Sequence, residues 1–216
     1  MAFKTSLTTG GTFLEQDFMF IDSNNTFEDG YDTTTTPSNK IEATPSDGPL
    51  NNGFGGDVAV GNGRIVVSAD ADNDAGDNAG AAYIFDLNGN QLAKITASDA
   101  EQFDRFGISI AVGLNRIVVG AMRDDPSGSA YIFDLDGNEL TKIIPSDGVL
   151  NENFGNSIAI GNGRIVVGAY EDNSATGSAY IFDLDGNQLA KITDSDSVED
   201  DEFGQSVAIG SGRIVV

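Results

Sequence analysis

The sequence lacks cysteine, histidine and tryptophan altogether. Without cysteine, the chain cannot form a disulfide or present a thiolate, so neither a redox site nor a cysteine-based metal site is available. Without histidine, it lacks the commonest general base and the usual zinc ligand. Catalytic Ser-His-Asp and Cys-His arrangements are therefore excluded.

Basic residues are also scarce. Lysine and arginine total 11 against 34 aspartates and glutamates, which gives a formal charge of −23 over 216 residues. A surface this negative repels phosphate backbones and anionic lipid, so we expect no nucleic-acid partner and no membrane insertion. No apolar run reaches transmembrane length, and the segment Met1–Leu7 lacks the apolar stretch of a secretory signal.

An internal repeat of about fifty residues organises the chain. Each copy begins with a Phe-Gly pair, and ten residues after each Phe an Arg precedes Ile-Val-Val. A Tyr-Ile-Phe-Asp-Leu segment then follows in the first three copies. The repeated positions are Phe54, Gly55 and Arg64; Phe106, Gly107 and Arg116; Phe154, Gly155 and Arg164; and Phe203, Gly204 and Arg213. The Tyr residues at 83, 131 and 180 each precede the next Phe by 23 residues, so length varies only between the second and third predicted strands.

Each copy predicts four β-strands. The first alternates, as in Phe106, Ile108, Ile110 and Val112, and the second is apolar throughout, as in a strand buried on both faces. The first turns are the dipeptides at 62–63, 114–115, 162–163 and 211–212, and the third and fourth strands are separated by Asn88-Gly89, Asp136-Gly137 and Asp185-Gly186. These dipeptides favour two-residue hairpins, the latter of type I′.

A four-stranded meander of this size is not stable alone, and stacking copies radially buries both of its faces. The sequence therefore predicts an all-β fold, a β-propeller of about three and a half antiparallel blades. The units are about 54–105, 106–153, 154–202 and the incomplete 203–216. The alternative is a parallel solenoid, which the hairpin turns disfavour.

Together, the Phe-Gly pairs and the Ile-Val-Val-Gly-Ala and Gly-Ser-Ala-Tyr-Ile-Phe segments resemble the FG-GAP repeat of integrin-type β-propellers, over roughly residues 40–216. The Pro of the Gly-Ala-Pro motif is missing in every copy. Calcium-binding members carry an Asp-rich loop between the first two strands, whereas here that loop is Gly61-Asn62-Gly63-Arg64 and its copies. The family's calcium ligands therefore cannot be transferred to these loops.

The N-terminal segment differs from the repeats. Residues 1–32, with Met1–Gly10 followed by an acidic and aromatic stretch, resemble the leader of tail-fibre or other virion surface proteins of cyanobacterial phages. Residues 33–39 read as a linker and 40–216 as the propeller. Lys40–Asp47 resembles a fourth strand with its connector, so the chain enters the propeller at an outermost strand. Because the sequence stops after two strands of the fourth unit, we expect a longer protein, with seven blades by resemblance.

The most acidic loop follows the second strand of the first unit. Its carboxylates, with an interposed glycine, suit a hard cation such as Ca²⁺, although a solvated acidic loop explains them equally simply. The candidate metal ligands are Asp70, Asp72, Asp74 and Asp77. Asp134–Asn138 also looks cation-like, but a hairpin turn accounts for it. The repeated Arg residues, with Lys94, Lys142 and Lys191, suggest scaffold roles through pairing with blade carboxylates.

These observations predict a non-enzymatic virion structural or adhesion protein, located on the phage tail or particle surface. Its N-terminal segment would contact other virion proteins, its loops would bind a host-surface glycan or protein, and it would assemble as a homo-oligomer. A cellular or secreted FG-GAP adhesin, located outside the cell, is the alternative. A carbohydrate-active enzyme is a third hypothesis, since carboxylate pairs are available.

Overall fold

The computed structural model describes residues 19–21, 27–29, 43–47, 52–124, 126–196 and 198–216. Within the predicted N-terminal segment, β1 (Met19–Ile21) and β2 (Phe27–Asp29) form an antiparallel pair in which Met19 faces Asp29. The rest of that segment, the linker 33–39 and the predicted strand at 40–42 lie outside the described residues.

The repeats form antiparallel sheets, as predicted, and the fold is all-β. The first sheet contains β3 (Phe54–Gly61), β4 (Arg64–Ala69), β5 (Ala81–Phe85) and β6 (Gln91–Ile95). The second contains β7 (Phe106–Gly113), β8 (Arg116–Ala121), β9 (Ser129–Phe133) and β10 (Glu139–Ile143). The third contains β11 (Ile158–Gly161), β12 (Arg164–Ala169), β13 (Ser178–Phe182) and β14 (Gln188–Ile192). The fourth contains β15 (Ala208–Gly210) and β16 (Arg213–Val215).

The one short helical element in the described residues is α1 (Asp172–Ala175), between β12 and β13. Its residues Asn173, Ser174 and Ala175 have φ values of 53°, 61° and 58°, so it is a left-handed turn and no regular α-helix. No helix in this part of the chain is both long and apolar enough to cross a membrane.

The strands of each sheet follow chain order from the inside to the outside of the propeller. The first strands of successive sheets contact one another, β3 with β7, β7 with β11 and β11 with β15. In the three complete sheets, the second strands are buried on both faces beyond their leading Arg. The fourth strands expose Leu92, Leu140 and Leu189, as expected of an outermost strand.

Apolar side chains fill the space between neighbouring sheets. One core cluster joins Val66 and Ile84 of the first sheet to Phe106, Ile117 and Tyr131 of the second. A second cluster joins Val118 and Ile132 of the second sheet to Phe154, Ile165 and Tyr180 of the third. The second meander thus buries both of its faces against neighbouring sheets. The propeller prediction is confirmed, with about four blades of which the fourth is represented by two strands.

The glycine that follows each repeated Phe explains the Phe-Gly motif. Gly107, Gly155 and Gly204 have φ values of +97°, +92° and +97°. A Cβ on Gly155 would lie 2.3 Å from the carbonyl oxygen of Ser129 in the preceding blade, and one on Gly204 would lie 2.2 Å from that of Ser178. Both the backbone conformation and the close approach therefore require glycine.

The predicted alternation of the first strand is wrong at its beginning. Phe106 pairs with Ala121, but the next pair is Ile110 with Val119, so a bulge interrupts the register. Phe54 and Val58 of the first blade show the same shift. The positive φ of the Phe-Gly glycine breaks the two-residue period, and Ile108 does not join the core cluster that contains Phe106 and Ile110.

A second glycine, at the start of each third strand, forms the junction between blades. Gly80 makes a parallel bridge to Phe106, and Gly177 makes one to Phe203. The amide of Phe106 also donates to the carbonyl of Ala79 at 2.9 Å. A Cβ on Gly80 would lie 2.0 Å from the carbonyl oxygen of Phe106, so the two backbones meet with no room for a side chain.

The turns differ between the two hairpins of a blade. The first turns have positive φ at both central residues, 50° and 76° at Asn62 and Gly63, as the prediction requires. The type I′ prediction for the second hairpins is wrong, because only the glycine (Gly89, φ 83°) has positive φ. The Asp86 carboxylate accepts the amides of Asn88 and Asn90 at 2.8 and 2.9 Å. The Asp86 carboxylate thus organises a turn of five residues, 86–90, in place of the predicted two-residue turn.

We predict that Gly80→Ala destabilises the protein strongly and Gly63→Ala does so weakly. Both glycines have positive φ, but a Cβ at Gly63 meets no atom within 4 Å. The backbone strain common to both substitutions is worth about 1 kcal/mol, and the clash at Gly80 should add roughly 2 kcal/mol or more. Denaturant unfolding of the two variants measures the difference, and equal losses would contradict the blade junction described above.

Candidate functional site

Connectors and loops gather at one end of the blades. In an antiparallel meander, the second-to-third-strand loops and the connectors between blades share one end, and the two hairpin turns share the other. Hydrogen bonds confirm the arrangement: the amide of Phe103 donates to the carbonyl of Asp77 at 2.8 Å, and that of Asn151 to Pro126 at 3.0 Å. We call this end the loop rim; it comprises residues 47, 52–53, 70–80, 99–105, 122–124, 126–128, 147–153, 170–177 and 198–202. The opposite hairpin rim comprises residues 62–63, 86–90, 114–115, 134–138, 162–163, 183–187 and 211–212.

Charge is distributed unequally between the two rims. Every connector and loop of the loop rim carries at least one carboxylate, including the stretch Glu199–Glu202. The four repeated Arg residues instead follow the first turns, beside the hairpin rim. The hairpin rim also carries aspartates in its second turns, and the loop rim includes Arg105 and Arg123, but carboxylates are in larger excess at the loop rim. The loop rim is therefore the more acidic end of the propeller, and it would attract cationic groups and repel anionic ones.

Each complete blade holds a lysine between aspartates at the level where the connector reaches the blade. We call each such group a lysine cluster. The lysine comes from the fourth strand, one aspartate from the preceding connector, one from the second-to-third-strand loop, and a tyrosine from the third strand. The clusters are Lys94 with Asp47, Asp72 and Tyr83; Lys142 with Asp99, Asp124 and Tyr131; and Lys191 with Asp147, Asp172 and Tyr180.

The lysine cluster of the first blade contains a third carboxylate. Lys94 Nζ lies 2.6 Å from Asp47 Oδ2, 2.9 Å from Asp72 Oδ2 and 2.6 Å from Asp74 Oδ2. Burial opposes the charge on Lys94, but hydrogen bonds to the three carboxylates outweigh it and raise its pKa above the ordinary value. Burial likewise opposes ionisation of Asp47, but hydrogen bonds from Lys94 and Tyr83 lower its pKa overall. Lys94 is therefore held as a charged ammonium, with the Asp47 carboxylate ionised beside it.

The other two clusters repeat this geometry with two carboxylates each. Lys142 Nζ lies 2.7 Å from Asp99 Oδ2 and 2.6 Å from Asp124 Oδ2. Lys191 Nζ lies 2.8 Å from Asp147 Oδ2 and 2.6 Å from Asp172 Oδ2. In each cluster the loop aspartate is buried and the connector aspartate is exposed, so the lysine compensates a desolvated charge.

Aromatic packing fixes the tyrosine of each cluster. Tyr83 lies edge-on to Phe54, with ring centroids 5.4 Å apart, and Tyr131 lies edge-on to Phe106 at 5.5 Å. The Lys94 ammonium lies 5.2 Å from the centroid of the Tyr83 ring. The repeated Phe thus positions the tyrosine, whose hydroxyl lies within hydrogen-bond distance of both aspartates of its cluster, 2.8 Å from Asp47 Oδ2 and 3.1 Å from Asp72 Oδ2, and shares its single proton between them.

The four predicted metal ligands do not form one site. Asp72 and Asp74 join Asp47 around Lys94, whereas Asp70 pairs with Arg105 at 3.5 Å. Asp77 contributes its backbone carbonyl to the amide of Phe103. The three carboxylates that do converge, with ligand oxygens within 4.8 Å of one another, include a connector residue that the acidic loop did not indicate. The second cation-like segment is a turn, in which Asp134 accepts the amides of Asp136 and Asn138.

The repeated Arg residues differ from the lysines in their contacts. Arg64 reaches the next blade, donating from Nε to the carbonyl of Leu135 at 3.0 Å and pairing with Asp136 at 3.3 Å. Arg116 and Arg164 donate instead to the carbonyl of the residue before them. Arg213 lies at the start of β16. Pairing with carboxylates thus falls mainly to the lysines.

The residue two positions before each repeated Phe also belongs to the site, and sequence reasoning missed it. Asn52 donates from Nδ2 to Asp72 at 3.0 Å, whereas the equivalent positions carry Asp104, Glu152 and Asp201. Glu152 is buried; its Oε1 accepts the amide of Val149 at 2.9 Å and its Oε2 has no hydrogen-bond partner among the described residues. The sequence signal that could have identified this position is its fixed place two residues before each repeated Phe.

We predict that Glu152→Gln stabilises the protein near pH 7. Burial raises the pKa of Glu152; the Val149 amide opposes this shift, Asp172 and Asp147 reinforce it, and Lys191 opposes it. A raised pKa in the fold means that this group's contribution is full at low pH and is lost as the pH rises through that pKa. A Gln amide stays neutral and can donate to Asp172, as Asn52 donates to Asp72.

Denaturant unfolding at two pH values tests this prediction. The gain should be about 1–2 kcal/mol at pH 7 and should shrink at a pH below the ordinary range of a glutamate. Glu101→Gln is the control, because Glu101 is exposed and should show little change. A gain of equal size at both pH values would contradict the assignment to ionisation of Glu152.

Comparison with known families identifies the repeat. The FG-GAP repeat matches residues 38–85, 90–133, 138–182 and 187–216. Each of the last three matches begins at or next to a fourth strand and ends in the next blade, so the family's unit boundary falls between the third and fourth strands. A search of curated proteins found no significant match.

Proposed function

Because the chain belongs to the FG-GAP repeat family, we propose that it is a non-enzymatic adhesion or ligand-binding module whose loop rim meets the partner. The residue that carries this proposal is Phe103. Its side chain is 51% exposed at the loop rim, and its backbone has a φ of +73°, which is unfavourable for a bulky residue.

The equivalent positions of the other connectors show which residue types suit this backbone conformation. Asn151 and Asp200 occupy the position of Phe103 in the next two connectors, with φ values of 65° and 70°. Asn and Asp tolerate this conformation better than Phe does. The second connector thus displays a large apolar side chain at a cost in backbone energy, which is typical of residues kept for binding.

Neighbouring connectors add further exposed apolar side chains to the same rim. Val149 and Leu150 are 60% and 67% exposed in the third connector, and Val198 is exposed in the fourth. They lie beside second-to-third-strand loops of unequal length, so the rim changes from blade to blade around a constant scaffold. Apolar groups within an acidic surface suit a protein or glycan partner that carries no net negative charge.

Catalysis is not part of the proposal. The carboxylates of the lysine clusters are bound to ammonium and hydroxyl groups, and the same arrangement occurs in three blades, whereas an active site is normally unique. Calcium binding by Asp70, Asp72, Asp74 and Asp77 is not part of it either. Asp70 faces Arg105, and the ammonium of Lys94 lies where Asp72 and Asp74 converge.

Paired substitutions on opposite rims test the binding surface. Phe103→Asn should weaken binding to an immobilised panel of neutral glycans and surface proteins at least tenfold, because it removes the exposed ring. It should also stabilise the fold by about 1 kcal/mol, because Asn suits the positive φ. Leu114→Asn is the matched control, since Leu114 is exposed on the hairpin rim with a φ of 52°.

The two readouts separate binding from folding. Leu114→Asn should give a similar gain in stability and leave binding unchanged. Equal losses of binding in both variants, or a loss in neither, would contradict the assignment to the loop rim. A panel with no bound partner for the unmodified protein would contradict the adhesion function itself.

A finer proposal places the chain on a phage particle, attached through residues 1–32 and other virion proteins, as a homo-oligomer that displays the propeller toward a host. It is supported by the sequence of the N-terminal segment. The family match begins at residue 38, and the comparisons give the virion role no support. Mass spectrometry of purified particles should find this chain, and its absence would contradict the virion role while leaving the adhesion module intact.

A further inference from the structure

FG-GAP repeats often bind calcium, so the fit of the described residues to calcium can be tested directly. The family's position, the turn between the first two strands, carries no carboxylate in any of the four blades. The carboxylates that converge in the first blade lie at the other end of the sheet, around Lys94. Neither location fits the family's calcium site.

We propose that the ammonium of the fourth-strand lysine takes the place of a bound cation in each of the three complete blades, so that the propeller folds without calcium. The observation behind this is geometric. Lys94 Nζ has three N–H donors and lies within 2.9 Å of three carboxylates, so every donor has an acceptor. An ion at the same position would have to displace the ammonium.

Electrostatics also favour an ammonium at this position. Three carboxylate oxygens within 4.8 Å of one another repel strongly unless a cation lies among them. Asp72 is 1% exposed, so water does not screen its charge. A tethered ammonium supplies the compensating charge permanently, whereas a free ion would supply it only at sufficient concentration.

Repetition shows that the arrangement belongs to the blade itself. Lys142 and Lys191 lie between their two aspartates at 2.6 to 2.8 Å. Each lysine joins a connector aspartate to a loop aspartate, so it ties the incoming chain to the blade. Linking segments in this way is what a structural cation does in a metal-dependent module.

The first cluster has three carboxylates around its lysine and the second has two, and this difference supplies a control. Removing Lys94 would leave three carboxylates and the Tyr83 hydroxyl facing one another, a set of hard oxygen ligands that suits Ca²⁺. Removing Lys142 would leave two carboxylates at the vacated position, Asp99 and Asp124, and the Tyr131 hydroxyl, with the buried Asp104 nearby but not converging with them as the three aspartates of the first cluster do. Calcium should therefore rescue the first loss far better than the second.

Thermal unfolding in EDTA and in millimolar CaCl₂ tests the proposal. The unmodified chain should unfold within about 1 °C of the same temperature in both. Lys94→Met should unfold earlier in EDTA and regain about 5 °C or more with calcium, whereas Lys142→Met should unfold earlier and regain little. A fall in the unfolding temperature of the unmodified chain on adding EDTA would overturn the proposal, as would equal rescue of the two variants.

A second readout does not depend on thermal unfolding. The Tyr83 ring lies 5.2 Å from Lys94 Nζ, so a terbium ion at that position would be sensitised by tyrosine excitation. Terbium added to Lys94→Gln, a milder variant, should give more emission than terbium added to the unmodified chain or to Lys142→Gln. Calcium should compete this extra emission away. Equal emission from all three proteins would overturn the proposal.

Discussion

The close backbone contact between blades is the constraint on which the rest of the fold depends. Gly80 meets Phe106 so closely that no side chain fits, and Gly177 meets Phe203 in the same way. This contact fixes both the start of a third strand and the start of the next blade. It explains why 23 residues separate each Tyr from the next Phe, while the loop before the junction glycine varies in length. Differences in length between the blades therefore occur in the loops of the loop rim.

The lysine clusters solve a second problem, which is how a chain with a net charge of −23 buries an aspartate in each of its three complete blades. Hydrogen bonds from Lys142 and Tyr131 outweigh the effect of burial on Asp99 and lower its pKa. A lowered pKa contributes stability above the pKa of the unfolded chain, and this contribution is lost as the pH falls through the lowered value. Burial of Asp104 raises its pKa and acts in the opposite direction. The clusters therefore make the fold more stable at neutral pH than in acid, whereas the buried acids beside them make it less stable at neutral pH.

Most of the fold could be predicted from the sequence, because repetition shows the same pattern several times. The period, the strand order, the buried second strand and the first turns all follow from local chemistry that each copy repeats. The bulge after Phe106 and the turn at Asp86 could not be predicted in this way. The first arises from the contact of Gly107 with the preceding blade, and the second from a side chain that competes with the usual turn geometry. Both depend on contacts that the strand pattern does not contain.

The acidic loop shows the limit of reading a site from neighbouring residues. Asp72 and Asp74 looked like ligands because they lie close together in sequence, but their partners are Asp47 and Lys94, about twenty residues away on either side. The repeated position of the lysine indicated a scaffold role without revealing which carboxylates it meets. Once the lysine accounts for the buried acids, the features of the loop rim that the blade scaffold does not require stand apart. Phe103 is the clearest of these, because the connectors beside it fold with Asn or Asp in its place.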